Sequence, residues 1–413
     1  MMRRIWENEW SGFMSSSNVT DLINKTDCSG CGACVCACPI KCISMKCDSE
    51  GFSYPQMGDK NCINCGKCLS VCPVKAKPKA TDYHRRVFAV QHKDDRIRRE
   101  STSGGAFTAI AEYVIENGGI VFGAGMDENF RVRHMPAYDK AQLASFRNSK
   151  YSQSDLGDTF LKIKKDLAEG QKILFSGTPC QVAGLKKFLP DAGENLITLD
   201  VVCRGIPSPL VFEKYLDYQR KKLGEFDKVL FRDKYSGYTH TTMSLYRDEA
   251  CLYHNGLEYD PMLKLFYQGM ICRPACSDCR FKGMERCSDF TLWDCFSAAE
   301  INSDFDDNKG TTFVMLHSKK AEMIFEKIQD NIRSCEGETE SVCHGSAEMF
   351  QSISHNPERQ EFFRDMDSMP PDELFDKWAP ITWKVRVNKL LRNILAKLGL
   401  YYTVKNFAAK LKK

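Results

Sequence analysis

No stretch of eighteen apolar residues occurs in the 413-residue sequence, so no helix is expected to cross a membrane. Behind the basic residues of Met1-Met-Arg-Arg-Ile-Trp-Glu-Asn-Glu-Trp10 there is no apolar run, and a secretory signal is not expected. Histidine is sparse, at eight residues, with no short His motif and no evident nucleophile–base pair, so hydrolytic chemistry has no support. Acidic residues are absent from Ile381 to Lys413, where nine Lys/Arg residues lie; the rest of the chain, +4 less those nine, carries −5. In that tail Trp383, Val387, Leu390, Leu391, Ile394 and Leu398 recur at helical spacing with basic residues between them. Interleaved charge of this kind offers no base-stacking platform, and nucleic-acid binding is not expected. The tail suits a membrane surface or an acidic partner; a helix docked on its own domain with a solvated basic face is the alternative.

Cysteine is the opposite case. Of 21 cysteines, eleven fall between Cys28 and Cys72. They spell Cys28-Ser-Gly-Cys31-Gly-Ala-Cys34-Val-Cys-Ala-Cys38-Pro39 and Cys62-Ile-Asn-Cys65-Gly-Lys-Cys68-Leu-Ser-Val-Cys72-Pro73. The C-x2-C-x2-C-x3-C-P spacing, present twice, is that of paired [4Fe–4S] clusters, in which the fourth cysteine of each run reaches the other cluster. The expected ligands are Cys28, Cys31, Cys34 and Cys72 for cluster one, and Cys62, Cys65, Cys68 and Cys38 for cluster two. Cys36, Cys42 and Cys47 fall outside the spacing and are read as non-ligands. A zinc knuckle needs four ligands in two pairs, and a disulfide framework belongs to secreted chains, so neither fits. Thiolates kept free for metal point to a reducing cytoplasm.

The length suggests two or three domains. At 43% hydrophobic and 27% charged, the chain is ordinary for a globular protein. Residues 1 to about 20 read as a loose leader and 21–78 as a dicluster ferredoxin-like domain. Within that domain, Ile43 to Pro55 forms two short strands round a Gly turn. A strand at Arg86–Gln91 opens a second domain, 86–301. Helices are expected at Ala106–Glu116 and Leu156–Leu167, and strands at Gly118–Ala124, Lys172–Phe175 and Asn195–Cys203. Ser176-Gly-Thr-Pro-Cys-Gln181 begins a further helix, and the alternation argues a layered α/β domain. Residues 302–413 are mixed, with a helix at Lys320–Ile332 and the basic amphipathic helix from Trp383 to Leu400.

A second, scattered set of cysteines comprises Cys180, Cys203, Cys272, Cys276, Cys279, Cys287 and Cys295. Cys180 follows one predicted strand and Cys203 ends another, where α/β sheets place their ligand crevice, and Cys276-Ser-Asp-Cys279 has ligand spacing. Cys180, Cys203, Cys276 and Cys279 could converge on a third [4Fe–4S] cluster, or be buried small hydrophobes. Ser101-Thr-Ser-Gly-Gly105 ahead of a helix is either a phosphate cradle or a plain N-terminus. Asn148 to Ser154 is dense in hydrogen-bond donors, either a binding segment or an ordinary polar loop.

Together these residues resemble the beta subunits of coenzyme F420-reducing hydrogenases and dehydrogenases, in the bacterial branch with a fused dicluster ferredoxin module. The landmarks are Ser101–Gly105, Ser149-Lys-Tyr-Ser-Gln-Ser154, Ser176-Gly-Thr-Pro-Cys-Gln-Val-Ala-Gly184, Asp200-Val-Val-Cys-Arg-Gly205, Cys276-Ser-Asp-Cys279 and Ser288-Asp-Phe-Thr291, spread over roughly residues 25 to 300. The resemblance implies FAD in the α/β domain, with a third cluster beside it at Cys180, Cys203, Cys276 and Cys279. It makes Ser103, Gly104, Gly105, Lys150, Gln153, Ser154, Gly177 and Thr178 candidate flavin contacts. Two positions depart from the pattern: Trp293 replaces a family glycine, and Arg204 stands where bacterial relatives have His. The implied function is an iron–sulfur flavoprotein oxidoreductase, suited to an anaerobic cell. It would link a small-molecule hydride donor or acceptor (deazaflavin coenzyme, NAD(P)H or another substrate) to a redox partner, either a ferredoxin or an oxidoreductase subunit. A flavin-free electron-transfer subunit of a larger complex is the competing expectation.

Overall fold

The computed structural model of the protein describes residues 18–58, 61–398 and 400, so nearly all of the expected leader and the last basic residues of the tail lie outside it. In the N-terminal module, Gly32 and Gly66 each follow the second cysteine of a run. Both have positive φ (73° and 67°), which glycine adopts without a Cβ clash, and both turn the loop into a short helix, Ala33–Ala37 and Lys67–Ser70. Between the two cysteine runs, β1 (Ile43–Cys47) and β2 (Ser53–Met57) pair antiparallel as the expected hairpin. Its turn is the docking point of the module. At Gly51 a Cβ would stand 2.4 Å from Leu210 Cβ, Arg359 grips Glu50 at 2.8 Å, and the Ser208 hydroxyl donates to the Glu50 carbonyl.

The second region contributes β3 (Arg86–His92), β4 (Ile120–Met126), β5 (Val132–Ala137), β6 (Ile173–Gly177), β7 (Leu196–Val201), β8 (Lys228–Asp233), β9 (Thr242–Arg247) and β10 (Ala250–Gly256). It continues with β11 (Phe290–Asp294), β12 (Thr312–Leu316) and β13 (Ile332–Gly337). Eight of these form one mixed sheet in the order β13-β3-β12-β11-β7-β6-β4-β5. Its centre, β11-β7-β6-β4, is parallel, and the flanking pairs are antiparallel. β8, β9 and β10 make a separate antiparallel sheet. The large sheet runs past residue 301, because β12 lies hydrogen-bonded between β3 and β11; a boundary at 301 would cut through it.

The centre of the sheet is covered on both faces, which is why β6 reads Ile-Leu-Phe without alternation. Leu174 faces Ala109, Ile110 and Val114 of the helix Ala106–Glu116. Ile173 and Phe175 face Phe160 and Ile163 of the helix Thr159–Ala168, and Val182 and Leu185 of the helix Pro179–Phe188. Each such fully buried side chain contributes about 1.5–3 kcal/mol over an exposed one, and Phe175→Ala would cost about 3–5 kcal/mol. The helices Arg359–Ser368 and Pro371–Trp378 bury Phe362, Met366, Leu374 and Phe375 against the helix Pro209–Leu223 and the small sheet. Among the described residues no helix is long and apolar enough to cross a membrane.

Candidate functional site

Two cavities and three groups of thiols define the site. In the N-terminal module, the charge of Cys72 opposes ionisation of both Cys31 and Cys34, and Cys28 acts on the same two. The fourth cysteine of the second run therefore lies near at least two of the first three of the first run, as crossed ligation requires; Cys34 also senses Cys68. On the other side a small cavity is lined by Cys38, Cys62, Cys65 and Cys68. Cys42, set aside by the spacing argument, also lines it: its Sγ lies 3.3 Å from that of Cys38, and its backbone N–H donates to Cys38 Sγ at 3.3 Å.

The third group assembles from three segments. Cys180 occupies the first turn of the helix Pro179–Phe188, whose start is fixed by Pro179 and by Thr178 N–H donating to Gln181 Oε1 at 2.9 Å. Cys203 follows β7, and Cys276 and Cys279 sit in the loop before β11. All six pairs among these four thiols are near enough for one thiolate charge to oppose another. Burial and that mutual repulsion push the Cys180 thiol up to about 11 and raise Cys203 and Cys276 as well. Such a set ionises only against a compensating positive centre, and the irons of a cluster supply one. Cys272, fully buried, joins on the side of Cys203 and Cys276. Cys287 and Cys295 stand apart, with Asp200 and Asp294 as their nearest charged influences. Among the described residues no group of three or more His, Cys, Asp or Glu is placed to chelate a single bare ion.

Beside these thiols a cavity of about 790 Å³ opens at the carboxyl ends of β4, β6, β7 and β11, where parallel sheets place their ligands. Seven of the eight flavin candidates line it: Ser103, Gly105, Lys150, Gln153, Ser154, Gly177 and Thr178. Gly104 is set back. Its N–H donates to Thr312 Oγ1 at 2.7 Å, and a Cβ there would meet the Val90 carbonyl at 2.2 Å, so this glycine lets the loop close on the sheet. Lys150 Nζ donates to the carbonyls of Ser145 and Arg147 at 2.7 and 2.8 Å, and loss of solvent pushes its ammonium down to about 7. Buried Arg204 Nε, Arg232 Nη2 and Trp293 Nε1 have no partner among the described residues, and all three residues are on the cavity wall. A polar, phosphate-bearing ring system fits that combination of volume and unspent donors.

Residue-type patterns gave no sign of several wall residues. Buried His134 is held neutral, its pKa lowered to about 4. Nε2 must carry the proton, since it meets the Ser176 carbonyl at 3.0 Å; Nδ1 then accepts from the Ser154 hydroxyl. Asp294 accepts from Ser103 and Tyr238 on one oxygen and from Arg232 Nη1 at 2.9 Å on the other, while Arg232 also reaches the Tyr151 hydroxyl at 3.2 Å.

The comparisons follow the same division. Residues 27–76 match the description "4Fe-4S dicluster domain". Residues 87–160 and 170–341 match, in order, the "N-term" and "C terminus" of "Coenzyme F420 hydrogenase/dehydrogenase, beta subunit". The chain belongs to this beta subunit family. It is an iron–sulfur, electron-transferring member, with the dicluster domain ahead of the family core. No curated protein matches the chain. Among solved structures, a chain of the F420-reducing [NiFe] hydrogenase complex from Methanosarcina barkeri is similar at 16% identity and a TM-score of 0.44, over 72% of this chain and 90% of that one.

Within the family core, Trp293 replaces the expected glycine without filling the site. Its ring packs on Phe313, centroids 5.2 Å apart, at the edge of the cavity. Arg204, in the place of the usual His, stacks on Tyr267 at 4.8 Å and pairs with Glu348 at 3.1 Å. The core and the dicluster domain also meet at the thiols. The charge of Cys180 opposes ionisation of Cys31, and a Cβ on Gly184 would lie 2.9 Å from Cys31 Sγ.

Proposed function

We propose that this family member is a flavoprotein oxidoreductase that holds FAD in the 790 Å³ cavity. A third [4Fe–4S] cluster would sit on Cys180, Cys203, Cys276 and Cys279, and the two ferredoxin-type clusters on the eight cysteines of the crossed assignment. When bound, these groups supply the electron exchange: pairs of electrons at the flavin, single ones at the clusters. The chain supplies position. Lys150 and the Ser103–Gly105 turn would hold the phosphates at the start of the helix Ala106–Glu116. His134 orients Ser154 and Ser176, and the Asp294–Arg232–Tyr151 network fixes the opposite wall.

One observation carries the reading. Cys203 is both a cavity-wall residue and a member of the four-thiol group, and the charge of Cys180 in that group is felt at Cys31 of the dicluster domain. These placements support a continuous route from the cavity to the N-terminal module. Its outer end would serve a redox partner protein, a ferredoxin or another oxidoreductase subunit. That all 21 cysteines are unpaired supports a reducing, cytoplasmic setting. Anaerobically purified protein should carry one flavin and roughly twelve irons, from three cubanes of four. About eight irons with full flavin would remove the third cluster; absence of flavin with electron transfer intact would favour the flavin-free subunit. Reduction by deazaflavin coenzyme, NAD(P)H and reduced ferredoxin, tried in parallel, identifies the donor.

A further inference from the structure

The body of the protein ends abruptly near residue 380. Leu374, Phe375 and Ala379 are buried, and Lys264 Nζ ties the Pro380 carbonyl at 2.8 Å. The helix Trp383–Lys397 follows, and its apolar residues behave differently. Trp383, Val387, Leu390, Leu391 and Ile394, with Leu398 just beyond, are between 44% and 69% exposed. At 100° per residue all six fall within an arc of about 100°, so they form one stripe about 22 Å long. The helix is not docked on its own domain by this face.

An exposed stripe of this size needs an occupant, and three observations choose one. Lys384, Arg386, Lys389, Arg392 and Lys397 alternate with the stripe, and Lys405, Lys410, Lys412 and Lys413 follow with no acidic residue among them, so the occupant is anionic. Trp383 stands at the end nearest the body, and indole favours the boundary between headgroups and acyl chains. A second copy of the helix is disfavoured, because both copies would carry only positive charge between Ile381 and Lys413, with no acidic residue to pair across the seam. We infer that the helix Trp383–Lys397 lies flat on an anionic phospholipid bilayer, apolar stripe in the acyl boundary and basic residues at the headgroups, making the protein a peripheral membrane enzyme. The dicluster module and the cavity lie outside this segment, so the inference stands independently of the cofactors.

Flotation of the full-length protein with vesicles tests it. Phosphatidylglycerol-rich vesicles should carry at least about tenfold more protein than pure phosphatidylcholine vesicles, and raised salt should erase the difference. Leu390→Asp with Ile394→Asp should abolish flotation, and Lys389→Gln with Arg392→Gln should weaken it, both with iron and flavin content unchanged. Several outcomes overturn the inference: no flotation, equal flotation on neutral vesicles, unaltered flotation of the aspartate variant, or a dimer in sedimentation that the aspartate variant dissolves.

Discussion

Arg273 Nε donates to the carbonyl oxygen of Cys28 at 2.7 Å, carrying a full positive charge to the first cysteine of the dicluster domain. The same guanidinium reaches Gln153 Oε1 and the Ser53 carbonyl, each at 3.0 Å, and stacks on Tyr54 at 4.1 Å. It is fully buried. One side chain thus joins the cavity wall, the hairpin and the cluster loop. Arg273→Met should destabilise the protein by about 3–5 kcal/mol, since three half-buried acceptors lose their donor. Denaturant midpoints measure that loss. Arg273→Lys keeps the charge but cannot span the fork, so it should retain iron and loosen the module. In any Arg273→Met protein that folds, the potential of cluster one should fall, because a nearby positive charge favours the reduced, more negative form. EPR-monitored titration reads the shift.

Gly184 makes another contact between the two regions. Gly184→Val places methyl groups where Cys31 Sγ now lies within 2.9 Å of a Cβ position. Overpacking of this kind costs about 1–3 kcal/mol. The EPR signal of cluster one should change while that of cluster two is preserved; two unchanged signals would show that the contact yields without effect.

Crossed ligation predicts which cluster fails on mutation. Cys38→Ala combined with Cys42→Ala should remove about four irons from the site of Cys62, Cys65 and Cys68, not from that of Cys28, Cys31 and Cys34. Cys42 is included because its sulfur, 3.3 Å from Cys38 Sγ, could take over as ligand. Cys72→Ala should do the reverse. Iron counts with EPR of each variant decide.

Lys150 gives the cavity a pH dependence. With its pKa lowered to about 7, the empty cavity loses that positive charge as pH rises through neutrality. An anionic phosphate holds the proton on, so binding takes up a proton and weakens toward higher pH. Flavin should therefore be retained better at pH 6 than at pH 8, by up to about tenfold per pH unit above the pKa. Lys150→Met should bind less flavin and lose this slope. A slope that survives the substitution would assign the proton elsewhere.

Local spacing made the dicluster cysteines readable, and apolar runs bounded by turns gave β3, β4, β6 and β7 to within a few residues. The register of the rest is long-range. Val132-Arg-His-Met-Pro-Ala137 pairs at the sheet edge despite Pro136, where a missing N–H is tolerated, and so carries no clear strand pattern. His134, Tyr151, Arg232, Arg273 and Asp294 come singly from distant segments and meet only in the folded chain. Cys180, Cys203, Cys276 and Cys279 could be grouped from strand ends and family resemblance, whereas Cys272, whose charge couples to two of them, had no spacing to mark it. Gly104 shares its turn with the flavin candidates Ser103 and Gly105, but consecutive residues in a turn face different ways, and it faces the sheet.

The route through Cys203 is tested most directly by following electrons in the anaerobic Cys203→Ser protein. With a hydride donor for the cavity, the wild type should bleach flavin and both ferredoxin-type clusters together in stopped-flow spectra. Cys203→Ser should still bleach the flavin, while the ferredoxin-type clusters remain oxidised over the same interval. Cluster reduction as fast as in the wild type would contradict the account.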